Sequence, residues 1–369
     1  MNDTLTNDLA GINPDLQCFR DQIFAGVIGQ VKPKNEVHFY LDGYQTTKVV
    51  PHLLIIAPKG QGKTKIARTT ARGLYQYDAE GKLIWGYIVT DDAGQQQWVT
   101  CGQHDKVEGH IVKPKKKAFV EINCASLRKG GLHAFVNNIL MKNIIDKDVT
   151  VFFDEASEIP LDIAMALLTI LEINNTYRTR YVYEGYVCDV DFRRQSFIFA
   201  TTESQKIFDA LRDRLERVTL QEYSQEELQE IVKINLPDIQ VEDKALADIA
   251  TVLRGNARSA FKMSEKIKTY LSGRTMFTYV MWQNLKCILS INPLGLNAIE
   301  VQMLQALKER PNGTSLTRMS AKTGMSREQL RQDTELYLMK YDLMEITTTG
   351  RNITPKGIEY LRTLPIEPI

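Results

Sequence analysis

Continuously apolar runs alternate with helical patterns over the first part of the chain. The runs at 52–57 (HLLIIA), 149–156 (VTVFFDEA) and 196–203 (SFIFATTE) are short, and the last two end in polar residues. Such runs are typical of strands that are buried on both faces of a parallel sheet. Residues 117–125 have the pattern of a further core strand. The pattern therefore predicts an α/β domain built on a parallel sheet.

Two segments between these runs have the pattern of antiparallel β-structure. Residues 76–117 hold short β-like pieces separated by turns with Gly and Asp, and we interpret them as an inserted hairpin or small sheet. Residues 176–194 alternate large apolar and polar residues around Glu184-Gly185, which predicts a β-hairpin. Residues 161–172, in contrast, are typical of a buried or amphipathic helix.

From residue 221 the pattern becomes helical. Ser224 and Glu227 have the spacing of a capping box at the start of a helix, and further helices are predicted up to residue 290. The stretch 291–296 (INPLGL) looks like a domain boundary. The helical pattern after residue 220 therefore predicts a separate helical region that ends near 290.

The remaining residues have the order of a winged helix-turn-helix. A helix at 297–310 is followed by a segment with a glycine turn at Gly324 and a second helix that Ser326 caps. The stretch EITTTGRNITPKG then has the pattern of a β-hairpin, which would form the wing. We therefore expect a terminal domain of the kind that often binds DNA.

Composition narrows the class of protein. The chain has 369 residues with 46 Lys and Arg against 45 Asp and Glu, so it is not basic over its whole surface. No secretory signal and no run long enough to span a membrane is visible. The five cysteines are scattered, which is typical of reduced thiols. These features predict a cytoplasmic protein without a membrane segment.

The stretch APKGQGKT follows the first apolar run and precedes a helical pattern. It departs from the phosphate-loop template G-x-x-x-x-G-K-[ST] only in Ala57, which stands at the first glycine. Gly60 and Gly62 would let the backbone approach phosphates closely, Lys63 would reach the β- and γ-phosphates, and Thr64 would bind Mg²⁺. We therefore predict an ATP site here, against the alternative of a chance surface turn.

Three further motifs fit phosphoryl transfer. Asp154 and Glu155 end an apolar run, where the first acid would hold Mg²⁺ and the second would activate water; the alternative is a solvated acidic pair. Thr201 ends another run and would orient water, or merely cap a turn. Arg212 and Arg214 offer guanidinium groups that would stabilise phosphoryl charge from a neighbouring subunit, or form surface ion pairs.

In their order along the chain these motifs resemble an AAA+ ATPase, and more closely the RuvB branch-migration motor family. The resemblance covers roughly residues 22 to 365 and rests on VIGQ (27–30), HLLIIAPKGQGKT, VFFDEA, FATTE, LRDRLE, RGNARSA (254–260) and GRNITP (350–355). It implies an AAA+ domain at 1–219 with an insert at 76–117, a helical lid at 220–290 and a winged-helix domain at 291–369.

The resemblance also implies residue roles. Val27 and Ile28 would line the adenine pocket, and Thr201 would be the first sensor. Arg214 would be the finger that reaches the ATP of the adjacent subunit. Arg258, in the lid, would be the second sensor. The remaining implied contacts are Gly60, Gly62, Lys63 and Thr64 with ATP, Thr64 and Asp154 with Mg²⁺, Glu155 with the attacking water, and Arg351 of the wing with the DNA backbone.

The function implied by the resemblance is that of a ring-forming ATPase, a hexamer, which moves double-stranded or branched DNA in recombination, repair or replication. The alternative is a loader or scaffold that uses ATP binding to recruit another protein to DNA. The hairpin at 176–194 lies where RuvB docks its partner RuvA, so a RuvA-like or other adaptor is a further expected partner. The chain departs from the family at Ala57, at Ala156-Ser157 after the acids, and in the insert.

Three features remain open. Cysteine and histidine, which are residue types that can bind zinc, occur at positions 101, 104, 110 and 124, but their spacing is not that of a standard zinc site. The run KPKKK (113–117) is either a phosphate contact or a solvated charged turn. The tyrosines of the 176–194 segment either form a protein- or DNA-binding hairpin or cover a half-buried ribbon.

Overall fold

The computed structural model describes residues 22–91, 93–172, 178–183, 186–310 and 313–364. The contacts divide the chain into two compact units, one ending at Tyr223 and the other beginning at Ser224.

The first unit is built on a five-stranded parallel sheet. Its strands follow the order β10-β1-β9-β6-β5, and all four neighbouring pairs are parallel. The strands are β1 (Leu53–Ile56), β5 (Ala118–Asn123), β6 (Val149–Asp154), β9 (Gln195–Thr201) and β10 (Glu216–Thr219). The predicted parallel sheet is thus confirmed, with β5 at one edge and the unpredicted strand β10 at the other.

Helices cover the two faces of this sheet, and buried apolar residues from the central strands fill both layers. One layer centres on Phe153 and Phe199, whose rings stack 4.7 Å apart. The other centres on Leu53 and Ile55 with Tyr44. The helices are α1 (Val31–Thr47), α2 (Lys63–Arg72), α3 (Gly131–Ala134) continued by a π-helical segment (Phe135–Ile144), α4 (Leu161–Ile170) and α5 (Asp209–Arg212). Short 3-10 turns lie at Cys124–Lys129, Ala156–Glu158 and Ser204–Lys206.

The insert forms a small sheet of its own, as predicted. Strand β2 (Trp85–Thr90) is central and pairs antiparallel with β3 (Gln96–Cys101) and β4 (Lys113–Pro114). The predicted second hairpin is also present, with β7 (Arg178–Tyr183) antiparallel to β8 (Tyr186–Asp191). Its turn at 184–185 and the tyrosine at 177 lie outside the described residues.

The second unit begins with four helices. They are α6 (Gln225–Ile234), α7 (Asp243–Val252), α8 (Ala257–Leu271) and α9 (Tyr279–Ile288), and the short strands β11 (Gln240–Val241) and β12 (Met276–Phe277) pair in parallel among them. The predicted capping box at the start of α6 is present, since Ser224 Oγ accepts from Glu227 N at 3.2 Å and a Glu227 carboxylate oxygen accepts from Ser224 N at 2.8 Å.

The end of the second unit has winged-helix topology. Helix α10 (Ala298–Lys308) is followed by α11 (Leu316–Thr323), which ends at Gly324 with φ 72°. A long helix then begins at the Ser326 cap, and an antiparallel wing follows it. The remaining elements are a 3-10 turn (Pro293–Gly295), the three parts of the long helix, α12 (Arg327–Gln329), a π-helical segment (Leu330–Glu335) and α13 (Leu336–Lys340), then β13 (Met344–Thr347), β14 (Gly350–Ile353) and α14 (Pro355–Thr363).

Candidate ATP site and DNA-binding elements

The loop between β1 and α2 has the backbone of an anion cradle. Gly60 and Gly62 have φ of 86° and 89°, a region that favours glycine. Gly62 is the N-cap of α2 and brings no side chain to cap it. The first N–H groups of a helix have no partner within the helix, so they are available to an anion. Ala57 is buried and is not among the described residues with positive φ, so alanine fits there without strain.

Lys63, the first residue of α2, folds its side chain over this loop. Its Nζ donates to the carbonyl oxygens of Ala57 at 2.8 Å and Pro58 at 3.2 Å. The positive charge therefore lies at the loop itself, where a phosphate can replace the carbonyl oxygens as a stronger acceptor. Thr64 follows in the first helical turn and is half-buried.

The carboxyl end of β6 places Asp154 and Glu155 at the same edge of the sheet as the loop, because β1, β9 and β6 are parallel neighbours. Asp154 is half-buried, and its Oδ1 accepts from the N–H of Glu155 at 3.0 Å. Glu155 is exposed and has the left-handed φ of 55°. This backbone turn directs the chain away from the strand immediately after the two acids.

The pKa of the Cys124 thiol depends partly on the charges at this edge of the sheet. The thiol is fully buried after β5, and burial raises its pKa, with further contributions from Asp154, Glu155 and Glu158. The carboxylates of Asp154 and Glu155, and that of Glu158, which pairs with Arg128, therefore lie near this end of the strand. Carboxylate and hydroxyl oxygens suit a hard divalent cation such as Mg²⁺, and Asp154 and Thr64 carry such oxygens.

Thr201 ends β9, which lies between β1 and β6. It is opposite Ile56 in the register and is fully buried. Its hydroxyl accepts from the N–H of Glu203 at 3.0 Å, so it caps the following turn. Its backbone carbonyl accepts from Ala57 N at 3.3 Å, which ties the strand end directly to the phosphate-type loop. The hydroxyl keeps its own proton as a donor.

Arg212, the last residue of α5, and Arg214, two residues later, differ in their contacts. Arg212 Nη2 lies 2.6 Å from Asp209, so its charge is paired. Arg214 is half-buried, and its Nη1 donates to the Ala210 carbonyl at 2.8 Å. Arg214 has no carboxylate partner within the described residues, which leaves its charge available to an anion.

Val27 and Ile28 precede α1 and belong to the first unit. Val27 is buried and Ile28 is half-buried, and the Val27 carbonyl accepts from Lys34 Nζ at 3.0 Å. The hydrogen bonds that fix this segment could not be predicted from the sequence. The Gln30 side chain donates to the Gln221 carbonyl at 2.7 Å and accepts from the Gln221 N–H at 2.9 Å.

Tyr223 was also missed as a neighbour of the loop. Its hydroxyl donates to the Gln61 carbonyl at 3.4 Å, and a Cβ on Gly62 would lie 3.4 Å from that hydroxyl. Gln30 belongs to the VIGQ stretch, but its contact with Gln221 and that of Tyr223 with Gln61 join residues 191 and 162 positions apart, so no local pattern reveals them.

The second unit contains the other two predicted residues. Arg258 is exposed in the first turn of α8, where Asn256 caps the helix by accepting from Arg258 N at 2.9 Å and Ser259 N at 3.2 Å. Arg254, at the end of α7, pairs with Glu300 of α10 at 2.8 Å and lies 3.4 Å over the ring of Tyr337. The helices before and after residue 290 are therefore joined by a buried ion pair.

Arg351 lies in the wing, as predicted, but its guanidinium is already bound. Nε donates to Glu335 at 2.8 Å and Nη2 donates to the other carboxylate oxygen at 3.3 Å. The side chains are 15% and 3% exposed. The prediction that Arg351 contacts DNA stays a prediction, and in this structure the group supports the attachment of the wing to the long helix.

The described residues bear on two points, a possible zinc site and possible membrane-spanning helices. These residues bring together no group of three or more His, Cys, Asp or Glu side chains that could hold a metal ion. His110 instead packs against Tyr87 with ring centroids 4.8 Å apart. Among the helices that the structure describes, none combines the length and the apolar character that a membrane crossing needs.

Comparison with known proteins extends these observations. Residues 293–362 match the RuvB C-terminal winged helix domain. The Holliday junction branch migration complex subunit RuvB of Lactococcus lactis subsp. cremoris is 23% identical over 357 residues, which cover 93% of this chain and 92% of the relative. RuvB of Thermotoga maritima is 22% identical over 371 residues, with 98% and 97% covered.

The solved structure of the Thermotoga maritima RuvB Holliday junction branch migration motor has a TM-score of 0.65 to this chain. The two are 20% identical, and the match covers 91% of this chain and 95% of the other. At this identity the likeness concerns the fold, and it confirms the predicted class of a parallel α/β sheet, a helical region and a terminal winged helix. The chain is thus similar to RuvB proteins along nearly its whole length.

Proposed function

We propose that this RuvB-like chain is an ATP-driven, ring-forming translocase that moves double-stranded DNA during recombination, repair or replication. The observation that carries the proposal is the coincidence of two facts. The similarity extends over 93% of the chain to a subunit of the Holliday junction branch migration complex. The phosphate-type loop, the Asp154-Glu155 pair and Thr201 also lie at the carboxyl ends of neighbouring parallel strands, at one edge of one sheet.

In the proposed site, the loop backbone at Gly60 and Gly62 and the first amides of α2 bind the phosphates of ATP. Lys63 exchanges its two carbonyl partners for phosphate oxygens, which gains a charge-assisted contact. Val27 and Ile28 hold the adenine. The fit of the loop is supported by the positive φ of both glycines and by the absence of a side-chain cap at Gly62.

Hydrolysis requires an activated water and compensation of phosphate charge. Glu155 accepts the proton of the attacking water, and Thr201 orients that water through its hydroxyl proton. Mg²⁺, held by Thr64 and Asp154, would neutralise charge on the phosphates. The chemistry of these two residues supports this assignment, because a carboxylate and a hydroxyl are oxygen ligands of the kind that Mg²⁺ takes.

Arg214 acts on the ATP of an adjacent subunit in the proposed ring, which we expect to be a hexamer. Its guanidinium has no carboxylate partner in the described part of the chain, unlike that of Arg212. Arg258 serves as the second sensor on the helical lid. The division into an AAA+ domain at 1–219, a lid at 220–290 and a winged helix at 291–369 is part of this proposal.

Coupling between lid and winged helix is supported by the Arg254–Glu300 pair, which fixes the two parts of the second unit to each other. A tilt of the lid would then carry the winged helix and its bound DNA. The β7–β8 hairpin is the proposed docking site for a RuvA-like or other adaptor. The loader alternative is not favoured, because the similar proteins are named as branch migration subunits.

The first test replaces the two central residues of the site. Lys63→Ala should abolish ATP binding, and Glu155→Gln should preserve binding while stopping hydrolysis. Lys59→Ala in the same loop and Glu158→Gln, whose carboxylate pairs with Arg128, are the matched controls. Wild-type hydrolysis in Glu155→Gln, or wild-type affinity in Lys63→Ala, would show that the site is assigned wrongly.

Movement of DNA is tested by displacement of a triplex-forming strand from a duplex. The wild-type protein with ATP should displace the strand without the help of another protein, whereas a loader should not. Mixing Arg214→Ala subunits with Glu155→Gln subunits tests action between subunits. If Arg214 acts on its neighbour, the mixture regains hydrolysis at interfaces that combine an intact Glu155 with an intact Arg214, although neither variant is active by itself. An inactive mixture contradicts that assignment.

A further inference from the structure

The lysine-rich segment at the end of the insert returns to the end of helix α2. The backbone of Lys116 forms an antiparallel bridge with Tyr75, and Gln76 N donates to the Lys115 carbonyl at 2.8 Å. Helix α2 ends at Arg72, three residues before Tyr75. The insert therefore brings its charges next to a helix of the ATPase sheet.

The lysines of KPKKK have different environments. Lys117 is only 7% exposed, and its Nζ donates to Ser196 Oγ at 3.0 Å inside the first unit. Lys115 lies 5.9 Å over the ring of Trp98. Lys116 is exposed and Lys113 is half-buried at the surface. The segment is thus neither a uniform solvated turn nor a uniform basic strip, and two of its charges remain for other partners.

Helix α2 adds two cations to these. Lys65 and Arg72 are seven residues apart, which places them on the same side of the helix about 10 Å apart along its axis. Arg68, between them, is neutralised by Glu121 at 2.5 Å. We call Lys65, Arg72, Lys113 and Lys116 the basic cluster.

Partial burial of its side chain lowers the pKa of Lys116, and the nearby charges of Arg72 and Lys113 lower it further, so Lys116 lies close to both of these cations. Within the part of the chain that the structure describes, none of the four forms an ion pair. An anionic ligand would relieve the repulsion between Lys116 and these two neighbours.

We propose that the basic cluster is a second DNA-binding surface, in the ATPase unit, which holds the phosphate backbone of duplex DNA. Phosphates of one strand recur every ~3.4 Å along the DNA axis, so the ~10 Å between Lys65 and Arg72 along the helix corresponds to about three such steps. The cluster stands on a helix and a sheet, so its spacing is fixed before DNA arrives. The inference rests on the proposed function only in that the chain handles DNA, and it concerns a different unit from the winged helix.

The test compares DNA affinity at several salt concentrations for the full-length chain. The variant Lys113→Gln/Lys116→Gln keeps most of each side-chain stem but removes two charges. Each lost phosphate contact should reduce the slope of log K against log salt by ~0.9, so the slope should fall by about 1.8. At ~0.1 M salt this corresponds to roughly 60-fold weaker binding. Hydrogen exchange of the wild type should show protection of residues 113–117 when duplex is added.

The matched control is Lys82→Gln/Lys106→Gln, which removes two charges from turns of the same insert and should keep the wild-type slope. Equal slopes for all three proteins, or no protection of 113–117, overturn the proposal even if the wild type displaces strands normally. Polyglutamate is the probe for an acidic protein partner: if it protects 113–117 as well as duplex does at equal charge, the surface is a protein site and the proposal is wrong. If strand displacement fails while the slope change is present, the translocase function fails and the cluster stands.

Discussion

Replacing Arg351 by methionine should unfold the wing rather than only weaken DNA binding. The substitution leaves the carboxylate of Glu335 without its bidentate partner, and that side chain is 3% exposed. Breaking a buried ion pair by removing one member costs about 3–5 kcal/mol. Because Arg351 keeps 15% exposure, we expect a cost near the lower end, ~3 kcal/mol. For the winged-helix domain at 291–369, a loss of ~3 kcal/mol corresponds to a fall of roughly 12–24 °C in melting temperature.

Backbone contacts add to the role of Arg351 in the wing. Arg351 also forms two backbone hydrogen bonds with Thr314, each of 3.0 Å, so its strand is attached to the rest of the domain at the same point. The double variant Glu335→Gln/Arg351→Met carries no buried charge, and much of the stability should return because the unpaired carboxylate is gone. Arg327→Met is the control, since Arg327 is exposed and surface substitutions usually change stability by no more than ~0.5 kcal/mol.

The assay is hydrogen exchange of the full-length chain, followed over helix α10 and the wing, together with duplex binding. Arg351→Met should lose protection there, and the double variant should regain it. If the double variant also regains DNA affinity, Arg351 supports the wing without touching DNA. If it is stable yet still binds poorly, the guanidinium contacts phosphate directly. Unchanged protection in Arg351→Met would refute the reasoning from the buried pair.

Three other changes have expected outcomes. Gly62→Ala forces a side chain into φ 89°, so we expect ~1–2 kcal/mol lower stability of the ATPase unit and weaker ATP binding by titration. Arg254→Met removes the ion-pair partner of the 1% exposed Glu300, and because Arg254 itself is 28% exposed, the free energy of unfolding followed by Trp282 fluorescence should fall by about 2–3 kcal/mol. An unchanged free energy of unfolding would contradict the coupling. Burial lowers the pKa of His52 to about 4, so the folded state disfavours protonation of this imidazole. The stability that this group contributes is complete above pH ~6.5 and should decline by about 3 kcal/mol as the pH falls towards 4. In acid titrations, His52→Phe should flatten this decline.

The strands that carry the site could be predicted because they are apolar on both faces. Residues 149–154 and 195–201 are buried almost throughout, so their composition follows from burial and not from any partner. The polar residues after them are equally visible, since a parallel strand must end where its carboxyl edge meets solvent. The elements that the sequence analysis did not identify, such as β10 and the π-helical segment Phe135–Ile144, are short or irregular and have weak periodicity.

The state of each side chain was not predictable in the same way. For Thr201 the sequence left two roles open, and the structure shows that its hydroxyl caps the local turn at Glu203. Arg351 lies in the wing as predicted, but its guanidinium is bound by Glu335. That second contact depends on how the wing packs against a separate helix. The run KPKKK presents the same limit, because alternate burial of its lysines is decided by Ser196 and Trp98 and not by the run itself.

The sequence by itself determined the class of this protein: a parallel α/β sheet with a phosphate-type loop, two acids at a strand end, a helical region and a winged helix. These features are local in the chain, since periodicity, glycines and caps act within a few residues. Only the tertiary structure decided which charges are free. It paired Arg351 with Glu335, joined Arg254 to Glu300, and placed Lys116 near Arg72 and Lys113. The reason is physical: the state of a charge is set by neighbours in space, and those neighbours are tens of positions away along the chain.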